Sequence, residues 1–328
     1  MKRGLPLRTV GFLALSVCGI SLAGPAYTPR RPTAEVAVAN YTWYDSHRNR
    51  DVPAKIYYPV SGAGPYPIVI FSHGLGGTRE GYDYFGRYLA GCGYVSVHVQ
   101  HLGSDDSVWR GKPLMQIRNE LRKSVMKPEN ALNRPRDISF AIDQMLELNA
   151  HDKNLFSHRL DPRRIAVAGH SFGAWTTLAI AGQTVAGKSL ADPRVKAAIA
   201  MSAPVHIPQR QNGADFATVR IPTLHLTGTR DEGAVFKMKA ADRRIPFDYA
   251  ARAPAFLIIF TGADHMTFAR RLRSNMSADD DRFHSLITTA SVAFLDAYLR
   301  NDAAAKQWLV GTGVNELLGS SASVEKKP

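Results

Sequence analysis

The apolar positions of this chain change their spacing several times, and each change predicts a different element. Residues 36–45 and 52–60 alternate apolar and polar positions on either side of the polar run Ser46–Arg50, which predicts an opening antiparallel hairpin. Thereafter the runs 67–71, 94–99, 164–168, 195–201, 223–227 and 255–260 are short and mostly apolar, as suits strands buried on both faces of a parallel sheet. Stretches with helical spacing lie between them at 82–90, 136–148, 174–181 and 286–299, the last with Leu286, Ala290, Phe294 and Ala297 on one face. Strand and helix therefore alternate. That alternation predicts an α/β fold: a mostly parallel central sheet with right-handed crossovers, helices on both faces and the antiparallel hairpin at its start. In such sheets ligands sit beyond the carboxyl ends of the strands, so functional residues are sought there. The polar stretch 103–135 with Trp109 breaks the alternation and reads equally as a flap over a site or as surface decoration. Residues 311–328 are small and polar, which predicts a flexible tail.

The amino end has a different grammar. Lys2, Arg3 and Arg8 precede an apolar run from Val10 to Ala23 that ends in Ser21-Leu22-Ala23, with small residues where a signal peptidase reads. Residues 1–23 read as a signal peptide cleaved near Ala23, because the run is shorter than the ~20 residues that cross a bilayer. The bulky Val17 before Cys18 disfavours a lipoprotein signal. The protein is accordingly expected to be secreted or periplasmic, with one domain over 24–310. Removing the leader leaves Cys92 alone, so no intramolecular disulfide can form. Lys and Arg exceed Asp and Glu by 13, but they are scattered and no nucleic-acid motif accompanies them. Weak attraction to anionic surfaces is the expected consequence, with no nucleic-acid partner.

Candidate chemistry begins at Gly169-His170-Ser171-Phe172-Gly173, a G-x-S-x-G pentapeptide preceded by the strand pattern 164–168 and followed by the helix pattern 174–181. A serine at the tip of so tight a turn is held in a strained conformation, and the residues two before and two after it must lack side chains for strand and helix to approach. Ser171 is thus the candidate nucleophile, at the amino end of a helix whose dipole favours developing negative charge.

A serine hydroxyl needs a positioned imidazole to take its proton. Of the eleven histidines, His265 lies in the loop after the last predicted strand, where the chain order serine, acid, histidine requires the base. His73, His98, His101 and His170 stand near strand ends and suit local hydrogen bonding, and His225 lies inside a strand. Asp231, just past the strand 223–227, is the candidate acid to fix the imidazole's tautomer. Asp264 competes, although neighbours in an extended loop usually point apart, and Glu232 stands one position away from Asp231. Two backbone N–H donors are also needed for the oxygen of a tetrahedral intermediate. Phe172, after the nucleophile, supplies one, and Leu75 in the loop Ser72-His73-Gly74-Leu75-Gly76-Gly77 is nominated for the other. That loop has neither the Walker pattern nor dinucleotide spacing, so phosphate binding is the weaker reading. With no HExxH motif or cysteine–histidine cluster, neither metal nor other cofactor is expected.

On the segments 71–76, 169–173 and 262–265 with Phe268, the chain resembles the bacterial relatives of platelet-activating-factor acetylhydrolase, often labelled dienelactone-hydrolase-like, within the α/β-hydrolases. The likeness spans roughly residues 66–270 and implies an α/β-hydrolase fold and hydrolysis of short or truncated acyl esters, phospholipid esters included, with the oxyanion hole at Leu75 and Phe172. Two departures stand out. Ser202 occupies the place where the animal acetylhydrolases carry their acid, which moves the acid one strand on to Asp231. Ser171 stands where true dienelactone hydrolases use cysteine. A polyester or cutinase-like hydrolase is the alternative within enzymes, and a non-catalytic secreted binding protein on the same fold is the alternative outside them.

Overall fold

The computed structural model describes residues 1, 27–62, 64–206, 212–233, 235, 237–269 and 278–328. The reading of 1–23 as a signal peptide therefore falls, Met1 aside, outside the described residues. No described helix is long and apolar enough to cross a membrane.

Eleven strands are described in chain order: β1 (Val36–Asp45), β2 (Arg50–Pro59), β3 (Tyr66–Ser72), β4 (Val95–Val99), β5 (Leu160–His170), the short pair β6 (Thr184–Val185) and β7 (Lys188–Ser189), β8 (Val195–Met201), β9 (Thr223–Arg230), β10 (Ala255–Asp264) and β11 (Ala322–Lys327). Nine of them form one sheet in the order β1-β2-β4-β3-β5-β8-β9-β10-β11. From β4 to β10 every pairing is parallel, and these six strands coincide with the six apolar runs of the sequence. The hairpin β1–β2 joins antiparallel through β2 and β4, with Val36 opposite Pro59 and Asp45 opposite Arg50.

Helices cover both faces: α1 (Asp83–Gly91), α2 (Leu114–Val125), α3 (Pro128–Ala150), α4 (Phe172–Ala181), α5 (Ile245–Tyr249), α6 (Ala278–Tyr298), α7 (Ala303–Val310) and α8 (Gly313–Leu318). Strand β3 shows why its sequence does not alternate. Ile68 and Ile70 pack with Ile138, Ile142 and Met145 of α3, whereas Val69 and Phe71 point the other way, into the core shared with Phe85 and Leu89 of α1 and Phe294 of α6. Burying each such side chain contributes about 1.5–3 kcal/mol, so both faces select for apolar residues.

The carboxyl-terminal tail is a correction. Residues 311–328 are not a flexible extension, and the domain does not stop at 310: Val314 and Leu318 of α8 are buried in the core, and β11 pairs antiparallel with β10 from Ala255↔Lys327 to Phe260↔Ala322. Polar side chains misled the expectation because an edge strand is held by its main chain, and charged residues such as Glu325, Lys326 and Lys327 protect that edge from further pairing. Arg244 and Glu325 add an ion pair at 2.8 Å. The stretch 103–135 is likewise ordered, as a short 3₁₀ turn at Asp106–Val108, α2 and the start of α3.

Deleting residues 322–328 exposes the edge of β10 and removes a six-residue pairing. We expect a loss of at least about 3 kcal/mol in urea unfolding, from several backbone hydrogen bonds at roughly 1 kcal/mol each, together with self-association on gel filtration.

Candidate active site

The chain runs from β3 to β4 on one side and returns to β5 on the other, so a crevice opens beyond the carboxyl ends of β3 and β5. Ser171 stands there, between the last residue of β5 and the first of α4, with φ 56° and ψ −119°. Strain of this kind costs about 1–3 kcal/mol for a non-glycine residue and persists only where its surroundings impose it. The surroundings here are backbone: a Cβ on Gly173 would lie 1.9 Å from the carbonyl oxygen of Ser72, and one on Gly169 would lie 2.4 Å from that of Gly173. Strand, turn and helix are pressed together at this bend.

His265 arrives from the far side of the sheet. It opens a 3₁₀ turn directly after β10, and its Nε2 lies 3.0 Å from Ser171 Oγ. Its Nδ1 lies 2.9 Å from Oδ1 of Asp231, which stands just past β9. The ends of β9 and β10 can meet because Gly228 has no side chain; a Cβ there would lie 2.1 Å from the carbonyl oxygen of Ala263. Asp264 is otherwise engaged: its carboxylate accepts from the N–H groups of Met266 and Thr267 at 2.9 and 3.0 Å, capping the turn that carries His265. Glu232 is exposed.

Asp231 is buried and surrounded by donors. Ser202 Oγ donates to Oδ1 at 2.8 Å, Thr227 Oγ donates to Oδ2 at 2.9 Å, and the Arg243 guanidinium pairs with Oδ1 at 3.1 Å. Burial alone would raise this carboxyl, but the hydrogen bond to His265 and the charge of Arg243 outweigh it and hold Asp231 below the ordinary carboxylate range. An ionised Asp231 accepts the Nδ1 proton of His265 and so leaves Nε2 free to accept from Ser171. Ser202 Oγ also lies 2.7 Å from Nδ1; since its own proton goes to Asp231, its oxygen shares the Nδ1 proton. Arg243 Nη2 lies 3.1 Å from Nδ1, yet both atoms carry hydrogens, so that approach is contact and the hydrogen bond runs to Asp231.

Sequence reasoning missed Ser202, Thr227 and Arg243 as partners of Asp231. Ser202 could be recognised only as a vacant acid position, and Arg243, whose Nε and Nη1 reach the carbonyls of Asp231 and Ser202, has no motif. His170 performs the local bonding expected of it: Nδ1 accepts from Tyr82 Oη at 2.9 Å, and Nε2 donates to the carbonyl of His265 at 3.0 Å. Burial and the neighbouring His265 hold its pKa well below the usual imidazole value, as this neutral tautomer requires. His73, His98, His101 and His225 are all buried in local contacts outside the Ser171–His265–Asp231 chain.

The loop after β3 is braced from beneath. Gly76 N–H donates to Ser104 at 2.9 Å and Trp109 Nε1 to the Gly76 carbonyl at 2.7 Å. Arg134, fully buried, donates to Ser72 Oγ, the His73 carbonyl, Ser104 Oγ and Thr176 Oγ, and its guanidinium lies 4.5 Å from the ring centre of Phe172. One side chain thus ties this loop to the first turn of α4. Burial pushes the guanidinium down to about 9, still charged at neutral pH. Beside Ser171 opens a cavity of about 500 Å³ whose lining includes Leu75, Phe172, Trp175, Val205, Met238 and His265. Val125, Met126 and Ala131 close one side, so part of the stretch 103–135 is a wall of the cavity.

A parallel sheet with this connectivity, a strained serine on a strand-to-helix bend, and an imidazole and carboxylate supplied from the next strand ends define an α/β-hydrolase. Residues 52–327 match the model of the PET hydrolase-like family, and the chain belongs to that family. It is 26% identical to a platelet-activating factor acetylhydrolase of Cavia porcellus over 295 residues, covering 78% of this chain and 63% of that protein. The acetylhydrolase of Canis lupus familiaris is 30% identical over 152 residues, 38% of this chain and 34% of its own length, so the chain spans less than two thirds of these relatives. Cutinase 2 of Thermobifida cellulosilytica is 27% identical over 169 residues, 52% of this chain and 49% of the cutinase.

Asp231→Asn is expected to lower kcat by roughly 10⁴-fold, because the amide presents the wrong hydrogen-bonding partner to Nδ1. Asp264→Asn should keep activity within about tenfold and leave stability nearly unchanged, since asparagine caps a helical turn about as well as aspartate; steady-state kinetics and urea unfolding of both variants check the pair. Arg134→Met leaves a buried carbonyl and three hydroxyls without their donor, and should lower the unfolding free energy by about 2 kcal/mol after the relief of burying a charge is subtracted.

Proposed function

We propose that this protein hydrolyses carboxylic esters through an acyl-enzyme on Ser171. The observation that carries the reading is the continuous contact from Ser171 Oγ to His265 Nε2 at 3.0 Å and from His265 Nδ1 to Asp231 at 2.9 Å. Ser171 Oγ attacks the ester carbonyl carbon as its proton passes to Nε2, and Asp231 stabilises the imidazolium so formed. The carbonyl oxygen becomes an oxyanion facing the N–H groups of Phe172 and Leu75. Phe172 begins α4, where a helix leaves its first N–H groups without acceptors inside the helix. Collapse breaks the bond to the alcohol oxygen, which takes the proton from Nε2. Water then repeats the sequence in reverse: His265 accepts its proton, the hydroxyl adds to the acyl carbon, and Ser171 leaves reprotonated.

The cavity supports the substrate class. Leu75, Val125, Phe172, Trp175, Val205 and Met238 offer an apolar surface suited to a short or truncated acyl chain, phospholipid esters included. A second reading, cleavage of polyester chains, is favoured by the family match over 52–327 and by the cutinase relatives. Both readings use the same machinery. The basic residues ahead of the apolar run 10–23 support action outside the cytoplasm.

A fluorophosphonate probe should label the wild type and leave Ser171→Ala unlabelled, with ester turnover falling by at least about 10⁴-fold in the variant. Absence of labelling in a folded wild type would favour a binding protein on this fold. A panel of p-nitrophenyl esters graded by chain length, run beside a phospholipid and a polyester film, separates the two substrate readings.

A further inference from the structure

Beyond hydrolysis, the outer face of the cavity wall has a composition that the catalytic reading does not use. Ten large apolar side chains besides Met1 stand exposed among the described residues, and five of them, Leu114, Met115, Met126, Leu132 and Met266, belong to the α2–α3 segment or follow His265. Met115 is 96% exposed, Leu114 85% and Met126 71%. Leaving these side chains in water carries a cost that scales with their apolar area.

Their spacing is regular. Met115, Arg118, Arg122 and Met126 follow one another at intervals of three, four and four residues, which places them along one side of α2, and all four are exposed. The opposite side holds the helix to the body: Ser124 is buried and donates to the Gly103 carbonyl at 2.7 Å, and Leu121 packs toward Gly76. Residues 110–127 contain six basic side chains, Arg110, Lys112, Arg118, Arg122, Lys123 and Lys127, against the single acidic Glu120. Arg110 pairs with Asp106 and Lys123 with Glu120, so the segment stays strongly positive.

We propose that α2 is a docking surface for an anionic phospholipid membrane, lying in the plane of the lipid with Leu114, Met115 and Met126 in the boundary between headgroups and acyl chains. Exposed apolar side chains interleaved with Lys and Arg along one helix side can enter the headgroup boundary while their basic neighbours reach anionic headgroups. The long stem of Arg118 covers apolar area while its charge meets lipid phosphates. A second copy of the chain fits this face poorly, since like charges would be brought together. The carboxyl end of the same helix also lines the cavity, through Val125 and Met126, so docking brings lipid acyl chains to the mouth beside Ser171.

The test is co-sedimentation of the full chain with vesicles of phosphatidylcholine alone and with about 30 mol% phosphatidylglycerol. We expect binding to the anionic vesicles only. Leu114→Ser/Met115→Ser and, separately, Arg118→Glu/Lys127→Glu should each weaken that binding by about tenfold or more, with an unchanged thermal midpoint as the check on folding. Ser171→Ala should bind as the wild type does, so the docking inference and the hydrolytic reading fail independently. A wild type that stays in the supernatant, that binds neutral vesicles equally well, or whose binding survives both double substitutions would overturn the proposal. Retention on an uncharged polyester film without binding to anionic vesicles would overturn it too, and assign the face to a neutral polymer.

Discussion

Backbone meets backbone where the first turn of α4 crosses the carboxyl end of β3, and the absence of side chains at 169 and 173 is what allows it. From that contact follow the positive φ of Ser171, the projection of its hydroxyl beyond the sheet and the position of the α4 amino end beneath it. The strain is local, about 1–3 kcal/mol, whereas the cores on both sheet faces are fixed by dozens of buried side chains. A fold with that much apolar burial can hold one unfavourable bend in place.

Two buried arginines flank the bend. On one side Arg134 gathers four oxygens from β3, its following loop, the loop after β4 and α4; on the other Arg243 pairs with Asp231 and bonds to the backbone of Ser202. Buried charge of this kind is expensive unless each donor finds an acceptor, and the hydrogen bonds formed offset the cost without making either residue a large net stabiliser. Their effect is on geometry. Asp231 accepts from Ser202, Thr227, Arg243 and His265 together, which fixes its orientation firmly but leaves less of its charge to support an imidazolium. The site trades some electrostatic strength for alignment.

The cavity is built unequally. One wall is the amino end of α4 with Phe172 and Trp175, both almost fully buried, while the other is the α2–α3 corner, where Ser124 alone among the residues of α2 is buried. Sparse burial lowers the free energy of local opening. The α2–α3 wall is thus the less anchored of the two, and its exposed face is apolar and basic.

Much of this was legible from periodicity and motif alone. The six parallel strands, the opening hairpin, the main helices, the elbow at Ser171 and the order of Ser171, Asp231 and His265 all follow from local patterns, because buried strands need unbroken apolar runs and a tight elbow needs paired glycines. In the tail, main-chain pairing of β11 with β10 leaves no trace in polar side chains, and the burial of Val314 and Leu318 rests on two apolar residues in a short helix. Ser202 showed only as a vacant acid position and Arg243 and Arg134 carried no signal, since each matters through partners 12 to 63 residues away, such as Asp231 for Arg243 and His265 for Ser202. What the sequence determined by itself was every element whose reason lies within a few neighbouring residues. Only the tertiary structure decided which polar groups share one buried space, because hydrogen bonds between distant strand ends depend on how the sheet is ordered and not on spacing along the chain.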